Sequence, residues 1–173
     1  MVTERLKQVQ MVLLDVDGVL TAGEIIYGDS GEQFKVFNVR DGLGIRMLKA
    51  ADIQVGIVTG RGGSALRHRC TNLGLDLVFE GVRDKAQALA QANAATGIAA
   101  EATAFIGDDL LDLSIMKRVG LAVAVADAHA MVRAIAHLTT QAAGGRGAVR
   151  EVCEAILNAQ GRWDAILQKL FNG

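Results

Sequence analysis

Two aspartates directly after an apolar run constrain this sequence more than any other feature. The run Val9–Leu14 is interrupted only by Gln10 and is typical of a buried strand in a parallel sheet. Asp15 and Asp17 follow it, at the end of a strand where open α/β sheets bind ligands. Two carboxylates so close together repel each other unless a cation or a shared proton intervenes, and Mg²⁺ suits an all-oxygen site. The alternative is a solvated turn with two incidental aspartates.

Three further apolar runs are each followed by polar residues suited to phosphate or metal chemistry. Taken alone, each has an ordinary explanation: Thr-Gly is a turn, Lys85 a solvated helix residue, and Gly-Asp-Asp a helix N-cap. In this order, however, all of them would converge on one crevice. The segments are Thr59, Gly60 and Arg61 after Gln54–Val58, Lys85 after Asp76–Phe79, and Asp108, Asp109 and Asp112 after Thr103–Ile106.

Strand-like and helix-like segments alternate along the chain, which predicts a Rossmann-like, doubly wound parallel sheet with helices on both faces. Alternating apolar residues around Gly28–Gly31 predict a β-hairpin inserted after the first strand. No linker or repeat interrupts the pattern, so we expect one domain over residues 1–173. The loop Gly144–Gly147 is expected to be flexible and able to bind an anion.

The predicted boundaries are coarse. The strands are Val9–Leu14, the hairpin strands Glu24–Tyr27 and Gln33–Phe37, then Ile53–Val58, Leu75–Phe79, Ala102–Ile106 and Ala122–Val125; the helices are Gly42–Ala51, Ser64–Leu73, Lys85–Ala95, Leu110–Val119, Ala148–Ala159 and Trp163–Leu170.

Composition excludes several function classes. Apolar residues make up 51% of the 173 residues, yet no run is long enough to span a membrane. The amino terminus lacks a signal-peptide pattern, so we expect a cytoplasmic protein. A net charge of -1 gives no electrostatic basis for binding nucleic acid. Cys70 and Cys153 are far apart and lack metal-site spacing, so we expect free thiols.

The four polar segments resemble motifs I to IV of the haloacid dehalogenase-like phosphatases. Over nearly the whole chain, the sequence is similar to a narrower family of capless members, the 3-deoxy-D-manno-octulosonate 8-phosphate (KDO 8-phosphate) phosphatases. The closer likeness lies in Phe37–Gly42, Ile57–Arg61, Val123–His129 and Ala143–Val152.

The resemblance implies an aspartyl-phosphate mechanism that depends on Mg²⁺. Asp15 would be the nucleophile, and Asp17 the general acid and then the base. Magnesium would be bound by Asp15, the backbone carbonyl of Asp17 and Asp108. Thr59 and Lys85 would hold the phosphoryl group. Asp109 and Asp112 would orient the metal ligands without binding the metal themselves. Asp109 is favoured for this role, since the position of Asp112 fits a helix-surface acid equally well.

The resemblance also implies the substrate and the assembly. KDO 8-phosphate carries a carboxylate and a phosphate and belongs to lipopolysaccharide precursor synthesis. We expect Thr59, Gly60, Arg61 and Lys85 to bind it, with Arg69 two helical turns further on meeting the carboxylate. The segment between motifs I and II is too short for a cap domain. The resemblance implies a homotetramer assembled through these hairpins, with the C-terminal tail of a neighbouring subunit reaching towards the site.

Two other function classes stay open at this point. One is a phosphatase for a nine-carbon sialic or KDN 9-phosphate, and the other is a non-catalytic assembly domain of a sugar-acid cytidylyltransferase. The presence of Asp15, Asp17, Thr59, Lys85 and Asp108 argues against the second. A response-regulator phosphoacceptor would lack the acid/base spacing of Asp17.

Overall fold

The computed structural model describes residues 1–172, except for the side chains of residues 32, 33 and 170–172. Its elements alternate as the sequence predicts. The strands are β1 Met11–Leu14, β2 Ile26–Gly28, β3 Gly31–Phe34, β4 Gln54–Val58, β5 Leu77–Phe79, β6 Thr103–Gly107, β7 Leu121–Ala124 and β8 Leu138–Thr139. The helices are α1 Val2–Gln8, α2 Val39–Ala50, α3 Ser64–Leu73, α4 Lys85–Thr96, α5 Leu113–Met116, α6 Ala130–Ile135, α7 Ala148–Ala159 and α8 Trp163–Asn172, with 3₁₀ turns at Ala100–Ala102 and Leu110–Asp112.

A six-stranded parallel sheet is the centre of the fold. Its strand order is β5-β4-β1-β6-β7-β8, and every neighbouring pair is parallel. All four residues of β1 are at most 1% exposed. Since successive residues of a strand point to opposite faces, helices must cover both faces of the sheet. The Rossmann-like α/β prediction is confirmed.

The helices form two packed groups. α7 packs against α1, α2 and α8, and α2 also contacts α3, whereas α4 packs against α5. Together with the sheet they enclose one continuous apolar core. In the described part of the chain, Cys70 and Cys153 are buried and free, as expected. None of the helices described has the length and apolar character needed to cross a membrane.

The hairpin prediction is confirmed with different boundaries. β2 and β3 pair antiparallel, and Gly28 faces Gly31, so Asp29 and Ser30 form a two-residue turn. This hairpin forms a sheet of its own beside the main one. The segment between β1 and α2 contains this hairpin and no helix, so it holds no cap domain.

Three short elements were not expected from the sequence. They are α1, α6 and β8, each with only one buried apolar residue or none among two to seven residues. A segment so short shows too little periodicity to be recognised. The predicted helix Leu110–Val119 was also too long, since it is a 3₁₀ turn followed by the four-residue α5.

The glycine-rich loop before α7 is packed against the loop after β1 and is not the open, flexible segment expected. A Cβ on Gly144 would lie 1.7 Å from the Gly18 carbonyl oxygen, so only glycine fits there. The Gly144 amide donates to Asp127 Oδ1 (2.9 Å), and the Gly145 amide donates to the Val19 carbonyl (2.8 Å). These contacts use the amides that an anion would need.

Candidate active site

The strand register brings the predicted polar segments to one edge of the sheet. Leu14 at the end of β1 lies beside Ile57 of β4 on one side and Ile106 of β6 on the other. The residues that follow these strands therefore share the carboxyl edge. They surround a cavity of about 320 Å³, lined by Asp15, Asp17, Gly23, Ile25, Thr59, Gly60, Arg61, Val82, Arg83, Lys85, Asp108, Asp109, Leu111 and Asp112.

Lys85 joins two carboxylates at the floor of this cavity. Its Nζ lies 2.7 Å from Asp15 Oδ2 and 2.5 Å from Asp112 Oδ1, and its side chain is only 5% exposed. A buried ammonium is stable only when it is paired in this way. Lys85 is the first residue of α4, whose N-cap Asp84 accepts from the Ala86 amide, so the helix start fixes its position. It is not a solvated helix residue, which was the ordinary explanation for it.

Asp112 is a buried anchor for the loop after β6. Its Oδ2 accepts from the Asp108 amide (2.9 Å) and the Asp109 amide (3.3 Å), while its Oδ1 accepts from Lys85. Asp109 is exposed and caps the 3₁₀ turn by accepting from the Leu110 amide (2.8 Å). Asp112 is 1% exposed, so it is not a helix-surface acid, whereas the preference for Asp109 as the group that orients a metal stays a prediction.

The buried carboxylates carry more negative charge than their partner neutralises. Oxygens of Asp15, Asp108 and Asp112 lie within 4.8 Å of one another, and Lys85 supplies one ammonium. The pKa of Asp15 is raised to about 6, chiefly by burial and next by the charge of Asp112, although Lys85 opposes both. The pKa of Asp108 is raised to about 7 by burial first and then by the charges of Asp15 and Asp112, with Lys85 opposing them.

Lys85 titrates in the opposite sense to what burial alone dictates. Burial disfavours its charged form, but the carboxylates of Asp15 and Asp112 outweigh that cost and raise its pKa. The lysine therefore stays protonated at neutral pH. With three ionised carboxylates, the cluster keeps two negative charges without compensation.

The cluster fits a divalent cation. Asp108 Oδ1 is a buried oxygen without a hydrogen-bond partner in the described residues, although such atoms are normally bonded. Asp15 approaches it from the neighbouring strand end. Hard carboxylate oxygens are the donors that Mg²⁺ prefers. Gly18 leaves room for this arrangement, since a Cβ there would lie 2.0 Å from Asp108 Oδ2.

Asp17 is held from two sides by cations. Lys35, which follows β3 of the hairpin, places Nζ 2.5 Å from Asp17 Oδ1, and Arg61 Nε lies 4.0 Å from Asp17 Oδ2. Lys35 was not among the residues predicted from the sequence. The available signal was the alternation of Phe34, Lys35, Val36 and Phe37, which puts the lysine on the face opposite the two exposed apolar residues.

Thr59 and the two residues after it line the cavity at the carboxyl end of β4, beside β1. The Thr59 amide donates to the Phe79 carbonyl (3.0 Å) and its own carbonyl accepts from the Val82 amide (3.0 Å). Its hydroxyl is buried and accepts from the Arg61 amide (3.3 Å). Gly60 and Arg61 line the cavity beside it, and the Arg61 side chain is 55% exposed.

Arg69 does not line this cavity within the chain. Its guanidinium donates to the Asn38 carbonyl (3.1 Å) and lies 5.5 Å from the centre of the Phe37 ring. A Cβ on Gly42 would lie 2.2 Å from the same guanidinium, so Arg69 is packed against the start of α2. In this position the guanidinium does not reach the cavity, so its contact with a substrate carboxylate stays a prediction.

The sequence is similar to those of known hydrolases. Residues 77–152 match the model of a family described as haloacid dehalogenase-like hydrolase. The chain is 46% identical to the 3-deoxy-D-manno-octulosonate 8-phosphate phosphatase of Escherichia coli (strain K12) over 163 residues, which are 94% of this chain and 87% of that protein.

Solved structures extend the match to three dimensions. The phosphatase of the same description from Yersinia pestis superimposes with a TM-score of 0.93 at 46% identity, covering 94% of this chain and 88% of that one. The Moraxella catarrhalis phosphatase, solved in complex with magnesium ion, phosphate ion and KDO, gives a TM-score of 0.94 at 38% identity, covering 98% and 97%.

Fold, site and sequence identity define the class: the chain is a haloacid dehalogenase-like hydrolase. Within that class it belongs to the family of the KDO 8-phosphate phosphatases, since the similarity spans most of both chains.

Proposed function

We propose that this protein hydrolyses KDO 8-phosphate to KDO and phosphate through an aspartyl-phosphate intermediate, with Mg²⁺ as cofactor. The observation that carries the proposal is the buried cluster of Asp15, Asp108, Asp112 and Lys85 beside Asp17 and Thr59 in one cavity. The family supports the substrate, because relatives at 46% identity are named for it.

Asp15 is the nucleophile in this proposal. Its Oδ1 accepts from the Val16 amide (2.7 Å) and its Oδ2 from Lys85 Nζ (2.7 Å), so the carboxylate is fixed in one orientation. It is only 9% exposed, at the floor of the cavity. A fixed carboxylate can attack phosphorus and divide a very slow hydrolysis into two faster steps.

Asp17 transfers the protons. In the first step its carboxyl group protonates the departing sugar oxygen, and in the second its carboxylate removes a proton from the attacking water. Its side chain is 20% exposed and lines the cavity, which lets it reach both the leaving group and water. One residue can serve both steps because the first leaves it in the form that the second needs.

Asp15, Asp108 and the backbone carbonyl of Asp17 would hold the magnesium ion. Mg²⁺ supplies charge stabilisation to the phosphoryl oxygens when it is bound there. Asp112 would orient these ligands, since both of its oxygens are already engaged by Lys85 and by backbone amides. Asp109 contributes by capping the turn that carries Asp108.

The phosphate and sugar would be held by Lys85 and by the residues that follow β4. The Thr59 hydroxyl and the Lys85 ammonium would bind phosphoryl oxygens, and Gly60 and Arg61 would contact the rest of the substrate. Arg69 would bind the substrate carboxylate only after its side chain rearranged, or if a neighbouring subunit supplied it. Within the chain its guanidinium faces Asn38 and Phe37.

We further propose a single domain over residues 1–173 and a homotetrameric, cytoplasmic enzyme of lipopolysaccharide precursor synthesis. The hairpin supports the assembly: Ile26, Phe34 and Val36 are 44%, 64% and 72% exposed and border a groove of about 360 Å³. Exposed apolar surfaces of this kind are typical of protein interfaces. Light scattering of the wild type and of the double variant Ile26→Glu/Phe34→Glu tests it, with dissociation expected in the variant.

Release of phosphate from a panel of sugar-acid phosphates tests the function. We expect KDO 8-phosphate to be turned over at least tenfold more efficiently than sialic acid 9-phosphate or KDN 9-phosphate. A preference for a nine-carbon substrate would replace the substrate assignment and keep the mechanism. Absence of turnover with every ester in magnesium buffer would instead favour a non-catalytic assembly domain.

A further inference from the structure

The hairpin supplies a buried lysine to the site. Lys35 follows β3 directly, and its side chain is 2% exposed although the hairpin strand β2 is exposed along its length. Its Nζ lies 2.5 Å from Asp17 Oδ1. The cavity side of the pair is formed by Asp17, so the lysine lies behind this carboxylate.

Strand periodicity explains why Lys35 points inwards. Phe34 and Val36 are 64% and 72% exposed, whereas Lys35 and Phe37 lie on the other side of the chain, where Phe37 packs against the core. Side chains alternate between two faces in extended backbone. One face of this segment is therefore the exposed apolar surface, and the other contacts the reacting groups.

Because it is buried, the ion pair of Lys35 and Asp17 is more sensitive to the loss of either member than a surface pair. An ammonium removed from water requires a close partner, and Asp17 supplies it, whereas loss of one member of such a pair leaves an uncompensated charge. The second cation near Asp17 differs: Arg61 Nε is 4.0 Å away and its side chain is 55% exposed. Exposed pairs of that kind contribute little. Lys35 is therefore the group that fixes the Asp17 carboxyl.

We propose that Lys35 is a positioning residue for Asp17, so that the hairpin is part of the proton-transfer machinery as well as a docking surface. This rests on the proposed function, in which Asp17 protonates the leaving sugar oxygen. Proton transfer requires the carboxyl oxygen within hydrogen-bond distance of that atom, and small displacements lower the rate steeply. Asp17 Oδ1 is held by Lys35, which leaves Oδ2 to face the substrate.

The test compares two leaving groups in the same variant. A sugar alkoxide needs protonation as it departs, whereas p-nitrophenolate departs with little help. Because Asp17 also assists the water attack that both esters share, the leaving-group step is measured as single-turnover release of KDO or of p-nitrophenolate. We expect Lys35→Met to slow KDO release about 30-fold or more, within the range of general-acid effects. Release of p-nitrophenolate should slow less than about threefold, with substrate affinity little changed for either ester. The ratio of the two rates does not depend on how much of the variant is folded.

Three companion variants isolate the role. Lys35→Arg should restore most of the sugar-phosphate rate, because it keeps a buried cation on Asp17. Lys7→Met removes a surface lysine paired with Glu4 and should behave as wild type. In an Asp17→Asn background, Lys35→Met should cost less than about threefold, because the group that it positions is already lost.

The outcomes separate this proposal from the function on which it rests. Equal losses of Lys35→Met on both esters, or fully additive losses with Asp17→Asn, would show a merely structural lysine and overturn the inference. If Lys35→Met does not fold at all, the same rate ratio is measured in Lys35→Gln, and equal losses there overturn the inference in the same way. Failure of wild type and Lys7→Met to hydrolyse KDO 8-phosphate would refute the proposed function itself.

Discussion

The amino end of the sheet carries a cavity of about 600 Å³, and the carboxyl end carries one of about 320 Å³. Two of the polar side chains that line the larger cavity, Gln160 and Arg162, bond to nearby backbone carbonyls. Arg162 donates to the Ala51 carbonyl, and Gln160 Nε2 donates to the Leu6 and Val9 carbonyls. Such bonds tie α7 and the turn after it to the core.

The smaller cavity contains more buried negative charge than its lysine neutralises. Asp15, Asp108 and Asp112 share one lysine, and Asp108 Oδ1 has no hydrogen-bond partner among the described residues. Uncompensated buried charge is costly, so a fold retains it where a ligand neutralises it. Surplus buried charge, and not volume, therefore marks the reactive end of this molecule.

The largest expected effect comes from removing the nucleophile. Asp15→Asn should lower kcat for KDO 8-phosphate by at least about 10³-fold, which is about 4 kcal/mol of barrier, because an amide oxygen is a poor nucleophile. The matched change at the amino end, Asp52→Asn beside the larger cavity, should leave the rate within about twofold. Retention of a tenth of the wild-type rate in Asp15→Asn would show that another group attacks phosphorus.

Metal removal should come next in size. EDTA should lower turnover by about 100-fold or more and Mg²⁺ should restore it, with Ca²⁺ a poor substitute because it prefers larger, looser coordination shells. Asp108→Ala should lower activity about 100-fold at ordinary Mg²⁺ and recover partly at high Mg²⁺. The exposed neighbour provides the control: Asp109→Ala should keep its metal affinity within a few-fold. Full activity of the metal-free wild type would contradict the assignment.

Asp112 tests the anchoring of the cluster. Asp112→Ala removes a partner of Lys85 and the acceptor for two backbone amides, so we expect a loss of about 3 kcal/mol in the free energy of unfolding. At the amino end, Arg162→Ala removes one hydrogen bond to the Ala51 carbonyl and should cost about 1 kcal/mol. Urea denaturation of both variants measures the difference. Equal losses in the free energy of unfolding would mean that the buried ion pair of Asp112 contributes no more to stability than one ordinary hydrogen bond.

The smallest effect concerns pH in the absence of metal. The pKa values of Asp15 and Asp108 in the folded protein, about 6 and about 7, lie above the ordinary value of 3.8. The folded state therefore binds more protons than the unfolded state between about pH 4 and pH 7, and stability falls as pH rises through that window.

Calorimetry in EDTA measures that slope. Asp108→Asn lacks one of the two carboxyl groups, so its Tm relative to wild type should rise by a few degrees between pH 5 and pH 8. Saturating Mg²⁺ should raise the wild-type Tm more at pH 8 than at pH 5, because the ion binds the ionised carboxylates. A constant Tm difference across this range would argue against the raised pKa values.

The sequence alone was sufficient to predict how the site is organised along the chain. Apolar strands followed by Asp15, Thr59 and Asp108 are local patterns, and parallel pairing brings their ends together whatever the details of the loops. Lys85 was found for the same reason, at the start of the helix after β5.

What the sequence could not predict depends on contacts between distant segments. Asp112 is spaced like a helix-surface acid, and only its approach to Lys85 shows that it is buried. The helical position of Arg69 does not tell which neighbour it meets, and it meets Phe37. Lys35 lies beside Asp17 only because the hairpin folds back over the site. Each of these needs the tertiary arrangement of two separate elements.

The close contact of Gly144 with Gly18 has a consequence for biosynthesis. Every residue assigned to the reaction precedes the glycine loop in the chain, yet that loop forms the wall behind the segment carrying Asp15 and Asp17. A nascent chain emerging from the ribosome thus contains all its reactive groups before the glycine loop that packs against the segment after β1 has been synthesised. Because contacts between distant segments form slowly, we expect the site to become ordered only after the glycine loop has been synthesised.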